Sequence, residues 1–330
     1  MSYASPEEVL RLAQNFMESR ILLSGAELNL FTILSQTPLS AQEVASGIGA
    51  DLRALTILLD ALSAMGVLVK QSETYQCADS VYPFLSEDAP HSVLPMVLHA
   101  AHLWQKWSGL TDVVRGTIVS RDVAKSSRSA EDLRAFIEAM HVIAAPRAHE
   151  IVAAANPGPS KALLDVGGAS GTYTIAFLQA VPEMKATLFD KAEVVEMARK
   201  HLSQAGMLNR VTLVPGDFYQ DEFPHGHDLA FLSAIIHQNS PEQNLDLFNK
   251  VFRSLNRGGR ILIRDHVMEP DRIHPKDGAV FAVNMLLGTP GGRTYTYEEI
   301  KTGLSRAGFI GIHLLKKGEH MDALVEAFKP

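Results

Sequence analysis

The stretch LLDVGGASGTYTIAFLQA (163–180) runs from an apolar segment carrying Asp165, through Gly167, Gly168 and Gly171, into apolar residues at helical spacing. A strand that enters a glycine-rich turn and leaves as a helix presents bare backbone N–H groups and a helix N-terminus to a ligand at the carboxyl edge of a sheet. Two common ligands fit poorly. The nicotinamide fingerprint G-x-G-x-x-G ending at Gly168 and Gly171 would need glycine where Val166 stands, and no Gly-Lys-Ser/Thr of a phosphate loop is present after it.

Outward from this loop, residues 160–330 alternate β-rich runs with helical stretches, the pattern of a parallel, doubly wound α/β sheet. Strands are expected at ALLDV (162–166), ATLFD (186–190), VTLVPGD (211–217), LAFLSA (229–234) and RILIRD (260–265). Helices are expected at 170–180, 192–205 and 241–255, the last stopped by Gly258 and Gly259. Each strand end carries something chemical. Asp190 closes the second strand, placed to take the hydroxyls of a ribose; Asp217 and Phe218 come after the third, an acid for an exocyclic amine beside a ring for a purine; His237 comes after the fourth; Asp265 ends the fifth. Alone, Asp190 reads equally as a helix cap and Asp265 as an ion-pair partner. Together, five such features at successive carboxyl ends point into one crevice.

The first half has another rhythm. Ser40 and Glu43 form a capping box, Gly47 and Gly49 mark a turn, Leu52, Leu55, Leu59 and Leu62 share a helix face, and GVLVK and TYQC come next as a hairpin. This is the order of a winged helix, a module that often binds DNA. Charge argues against that use: residues 1–60 hold three arginines, no lysine and seven acids, so phosphates would go unneutralised. An apolar, acidic winged helix is expected to bury its surface against a second copy of the chain. The domains are read as 1–155, helical, and 156–330, α/β, joined at AANPGPSK (154–161).

Composition bounds the rest. The 330 residues are 46% hydrophobic and 20% charged, with net charge −7, a globular balance unsuited to polyanionic partners. No apolar run reaches the ~18 residues of a membrane span. The N-terminus carries acids where a signal peptide has positive charge, and the only cysteine, Cys77, suits a reducing compartment, so a cytoplasmic location and no membrane association are expected. The pairs His225/His227 and His99/His102 lack a third ligand at a recognisable spacing; no metal is expected, and 225–227 reads as a solvated loop.

LLDVGGASG, FDKAEVVEMA, GDFYQDEFP, AIIHQNSPEQNLDLFNKVFRSLNRGGRILIRDHVM and NMLLGTPGGRTYTYEEI together resemble the class I S-adenosylmethionine-dependent O-methyltransferases that carry an N-terminal winged-helix dimerisation domain, over nearly the whole chain. The resemblance implies a Rossmann-like catalytic domain and a homodimer, with S-adenosyl-L-methionine as cofactor and S-adenosyl-L-homocysteine as product. It implies that Gly167 and Gly171 cradle the methionine part with Gly168 also among the cofactor-binding residues, and that Asp190 holds the ribose and Asp217 and Phe218 the adenine. Ser233 lies near the cofactor, where relatives often have Lys or Arg. His237 matches the general base and Asp265 the acid that orients it. Trp104, Trp107, Met140 and His141 fall in one wall of the acceptor pocket, and Phe281, Asn284 and Met285 in another; core packing is an equal reading for each tryptophan and methionine. Two departures stand out: Gln238 and Asn239 come after the histidine where relatives have Asp/Asn and Trp, and Thr294 replaces a Glu that flanks the base in plant members. A small, aromatic hydroxyl acceptor is expected; transfer to carbon or nitrogen, or a non-catalytic cofactor-binding regulator, are the alternatives.

Overall fold

In the computed structural model, which describes residues 5–89, 91–117 and 130–330, the chain forms two compact units, Met1–Trp104 and Gln105–Pro330. In the first, the helices Ala41–Ile48 and Leu52–Ala64 lead into the hairpin β2 (Leu68–Gln71) and β3 (Thr74–Cys77), and β1 (Leu39–Ser40) adds to β3, giving the order β1-β3-β2. The reciprocal Ser40–Glu43 capping box and the Asp51 side chain, which accepts the Ala54 N–H, start the two helices where the sequence indicates. Leu55, Leu59 and Leu62 bury one helix face against Phe31, Leu34 and Tyr75, each fully buried leucine contributing roughly 1.5–3 kcal/mol. Cys77 is buried here, which pushes its thiol up to about 11.

The second unit is built on a seven-stranded sheet of order β11-β12-β8-β7-β4-β5-β6. Its strands are β4 (Ala162–Val166), β5 (Lys185–Asp190), β6 (Val211–Pro215), β7 (His227–Ser233), β8 (Leu255–Asp265), β11 (Ile310–Lys316) and β12 (Ala323–Phe328); the short parallel pair β9 (Val267–Met268) and β10 (Tyr295–Thr296) stands apart. The five expected strands are present and parallel, covered on one face by the helices Ala148–Ala155 and Thr172–Ala180 and on the other by Pro241–Ser254 and Tyr297–Arg306. The helix Ala148–Ala155 therefore packs within this unit, and Asn156, at φ 42°, turns the chain from it toward β4.

Two readings are corrected. Gly258 and Gly259 do not stop the helix: it ends at Ser254, Leu255 is already extended, and both glycines lie in β8. There Gly258, at φ 77°, donates to the Lys329 carbonyl and Gly259 accepts from Lys329. His227 is the buried first residue of β7 rather than part of a solvated loop, its two ring nitrogens each 3.0 Å from a hydroxyl, Ser254 and Thr187.

Candidate active site

The parallel register assembles the site. Val166 pairs with Phe189 on one side and Leu232 on the other, and Leu232 pairs with Ile263. The next residue of each strand, Asp190, Gly167, Ser233 and Arg264 in sheet order, consequently emerges in one row along the carboxyl edge.

Gly167 extends the β4–β5 ladder by donating to the Phe189 carbonyl at 2.8 Å, then turns at φ 66°; a Cβ there would stand 2.5 Å from Ile235 Cδ1. Gly171, at φ 78°, opens the helix Thr172–Ala180, and no side chain caps that helix. Its first N–H groups thus have no side-chain acceptor, as a ligand-binding helix N-terminus requires. The Asp190 carboxylate accepts from Ala169 N–H at 2.9 Å and Lys191 N–H at 2.7 Å, one on each oxygen, which leaves further lone pairs for hydroxyl donors. Burial holds its pKa above the usual aspartate range. Asp165, below the loop, is buried and accepts from Thr174 Oγ1 at 2.5 Å; desolvation pushes it up to about 7.

Phe218 reaches the same loop, its ring edge 4.0 Å from where a Gly167 Cβ would stand. Asp217 accepts the Tyr219 N–H at 2.9 Å and so shapes the turn that presents Phe218. Ser233 Oγ accepts from Arg264 Nη1 at 3.0 Å.

After Ser233 the chain turns through Ala234, at φ 58°, into the single helical turn Ile236–Gln238 that carries His237. His237 is buried, and its Nδ1 lies 2.9 and 3.0 Å from the two oxygens of Asp265, itself 1% exposed at the end of β8. A carboxylate only accepts, so the proton sits on Nδ1 and the Nε2 lone pair is available. Phe281 meets the imidazole edge-on at 4.8 Å. Among the described residues no second carboxylate hydrogen-bonds His237; Thr294 is buried on the loop whose Gly292 packs against the His237 carbonyl.

Asn239, which in sequence shows only as a lost aromatic wall, is the fully buried hub of this turn. Its side chain accepts from Tyr219 Oη at 2.6 Å and donates to Asn244 at 2.9 Å, its carbonyl accepts from Tyr295 Oη at 2.5 Å, and Asn244 donates to the Ile236 carbonyl at 2.9 Å. Only the mutual reach of these distant residues reveals that role.

The acceptor-wall residues divide. Phe281 joins His237, and Asn284 accepts from Trp107 Nε1 at 3.1 Å, which aims its amide NH2 elsewhere; Met285 is buried. His141 instead sits 2.8 Å from the Thr172 hydroxyl at the start of the glycine-loop helix, its ring 4.6 Å from His201, and burial lowers its pKa. Met140 is partly exposed. Trp104 belongs to the first unit, where the Arg20 guanidinium lies 5.6 Å over its ring.

Residues 113–310 match the family model of the O-methyltransferase domain and residues 10–83 that of the O-methyltransferase dimerisation domain. The chain is 29% identical over 315 residues to the tetracenomycin polyketide synthesis 8-O-methyl transferase TcmO of Streptomyces glaucescens, covering 93% of this chain and 92% of that protein. It is 28% identical over 310 residues to the 3-hydroxy-5-methyl-1-naphthoate 3-O-methyltransferase of Streptomyces sahachiroi, covering 92% and 89%. Its fold matches that of human N-acetylserotonin methyltransferase, solved in complex with SAM, with a TM-score of 0.84 at 24% identity over 100% of this chain and 99% of the other.

This chain belongs to the O-methyltransferase family and is an O-methyltransferase.

Proposed function

We propose that this O-methyltransferase methylates a hydroxyl of a small aromatic molecule, with His237 as general base and Asp265 as the group that orients it. The observation that carries this reading is the buried pair itself. A carboxylate bonded through both oxygens to Nδ1 fixes the ring, leaves Nε2 as the basic nitrogen and favours the imidazolium formed when a hydroxyl proton arrives.

The cofactor is S-adenosyl-L-methionine, and the glycine loop, the uncapped helix N-terminus and Asp190 fit it. When bound, it supplies a sulfonium methyl that needs no further activation. The residues of the chain then have four tasks. Gly167, Gly168 and Gly171 keep the loop low enough for the methionine part to lie against backbone; Asp190 takes the ribose hydroxyls; Asp217 and Phe218 take the amine and face of the adenine; His237 receives the acceptor's proton while Phe281 keeps water from its ring. Asn284 and Met285 form the remoter wall of the acceptor pocket, while His141 lies beside the start of the glycine-loop helix.

The working unit is a homodimer. The helix Pro6–Gln14 buries none of its residues, and Val9, Leu10, Leu12, Phe16 and Met17 are all at least half exposed, a patch suited to a second copy. Among the described residues no helix is long and apolar enough to cross a membrane. The lone cysteine and net negative charge suit a cytoplasmic enzyme that binds no nucleic acid.

Incubation with methyl-labelled S-adenosylmethionine and a panel of mono- and polyhydroxylated aromatics tests the reading. Label recovered as an aryl methyl ether supports it. Label recovered only on nitrogen or carbon overturns the part assigned to His237.

A further inference from the structure

We propose that Arg264 receives the carboxylate at the amino-acid end of the cofactor, an assignment that rests on the cofactor placement proposed above. Arg264 is 5% exposed, and a guanidinium stays protonated in proteins. Among the described residues no carboxylate stands within ion-pair distance of it. Its hydrogen bond is to an uncharged group, Nη1 to Ser233 Oγ at 3.0 Å, and its Cζ lies over the Tyr173 ring, 5.2 Å from the centroid. Neither contact neutralises the charge. Moreover, Arg264 Nε and Tyr173 Oη are both buried without a hydrogen-bond partner. A buried cation lacking a counter-ion is strongly unfavourable unless an anion arrives, and unsatisfied donors are what a carboxylate would take.

The register shows which anion can arrive. Asp190 and Arg264 occupy the two ends of the row at the carboxyl edge, with Gly167 and Ser233 between them. Three strand spacings separate those ends, about 14 Å. A cofactor with hydroxyls at one end and a carboxylate at the other, joined through a thioether chain, meets an acceptor-only carboxylate at Asp190 and a donor-only cation at Arg264. The bare backbone of Gly167 lies under the chain between them. Ser233, the register partner of Arg264, accepts from its Nη1 and so ties the guanidinium to β7.

Calorimetry with two ligands separates this role from a structural one. S-adenosylhomocysteine carries the carboxylate; 5′-methylthioadenosine keeps the adenosine and sulfur but lacks the amino-acid end. Arg264→Met should weaken S-adenosylhomocysteine by about tenfold or more and leave 5′-methylthioadenosine within about twofold, while Arg264→Lys retains part of the preference. Equal losses for both ligands, or none, overturn the assignment. Should the methionine variant fail to fold, the wild-type protein gives the same answer: the carboxamide of S-adenosylhomocysteine should bind about tenfold more weakly than the acid, and equal affinities would contradict the role. Failure of the cofactor placement looks different, because Asp190→Ala would then leave the binding of both ligands unchanged.

Discussion

His237 Nδ1 and the Asp265 carboxylate are joined by a forked hydrogen bond of 2.9 and 3.0 Å, inside a turn that the Asn239 hub holds in place. One Asp265 oxygen also accepts the His266 N–H at 2.8 Å, so the carboxylate is itself fixed. Asp265→Asn keeps an acceptor of the same shape but removes the charge that favours imidazolium. Turnover should fall ~10²-fold with cofactor affinity unchanged, a smaller loss than removal of the imidazole. Steady-state kinetics beside calorimetry decides this; a variant with wild-type turnover would make Asp265 merely a packing residue.

Under the proposed cofactor placement, Asp190→Ala removes both the acceptor of the ribose hydroxyls and a brace of the glycine loop. S-adenosylhomocysteine affinity should fall by about tenfold or more, since hydrogen bonds to a charged acceptor contribute roughly 1.5–3 kcal/mol each. Burial raises this carboxyl's pKa, so wild-type affinity should decline as pH falls through that raised value, and Asp190→Asn should lose the decline. An unaltered affinity in the alanine variant would place the ribose elsewhere.

Asp165 makes a stability prediction. Its carboxyl is pushed up from 3.8 to about 7 by desolvation, so the folded state holds the proton more tightly than the unfolded chain. The resulting stabilisation is complete below the unfolded value and is lost as pH rises through about 7, with an upper bound of about 4 kcal/mol. Urea unfolding should therefore show Asp165→Asn losing less stability between pH 5 and pH 8 than the wild type. Parallel pH profiles for the two proteins would refute the buried-acid account.

Light scattering should return twice the 36.0 kDa chain mass. Replacing Leu10 and Phe16 by Asp, on the exposed apolar face of the N-terminal helices, should shift the mass toward the monomer on dilution. A wild-type monomer would leave that face unexplained.

The assembly of the candidate site is legible in the sequence wherever it depends on the residues just past a strand's end. β4 spans the expected 162–166, and the register brings Asp190 and Gly167 to one edge of the sheet, as their places at strand ends imply. Legibility ends where position depends on tertiary reach. β11 and β12 escape a sequence reading because β11 is largely exposed and β12 carries Glu326, which pairs with Arg260 at 3.1 Å; a charged residue inside a strand blurs its apolar signal. Arg264 is hidden because, as one of three charges in RILIRD, nothing local marks it out. Asn239 stands out only as a departure, since nothing local shows that Tyr219, Asn244 and Tyr295 converge on it. Gly258 and Gly259 mislead because glycine marks helix ends and strand irregularities alike.

His237→Ala, assayed for both turnover and S-adenosylhomocysteine affinity, tests the central claim most directly. A positioned base contributes ~10²- to 10⁴-fold, so turnover on a hydroxyl acceptor should drop by that factor while cofactor affinity stays within about twofold. Retention of most of the turnover would contradict the account and leave an O-methyltransferase whose acceptor loses its proton without His237.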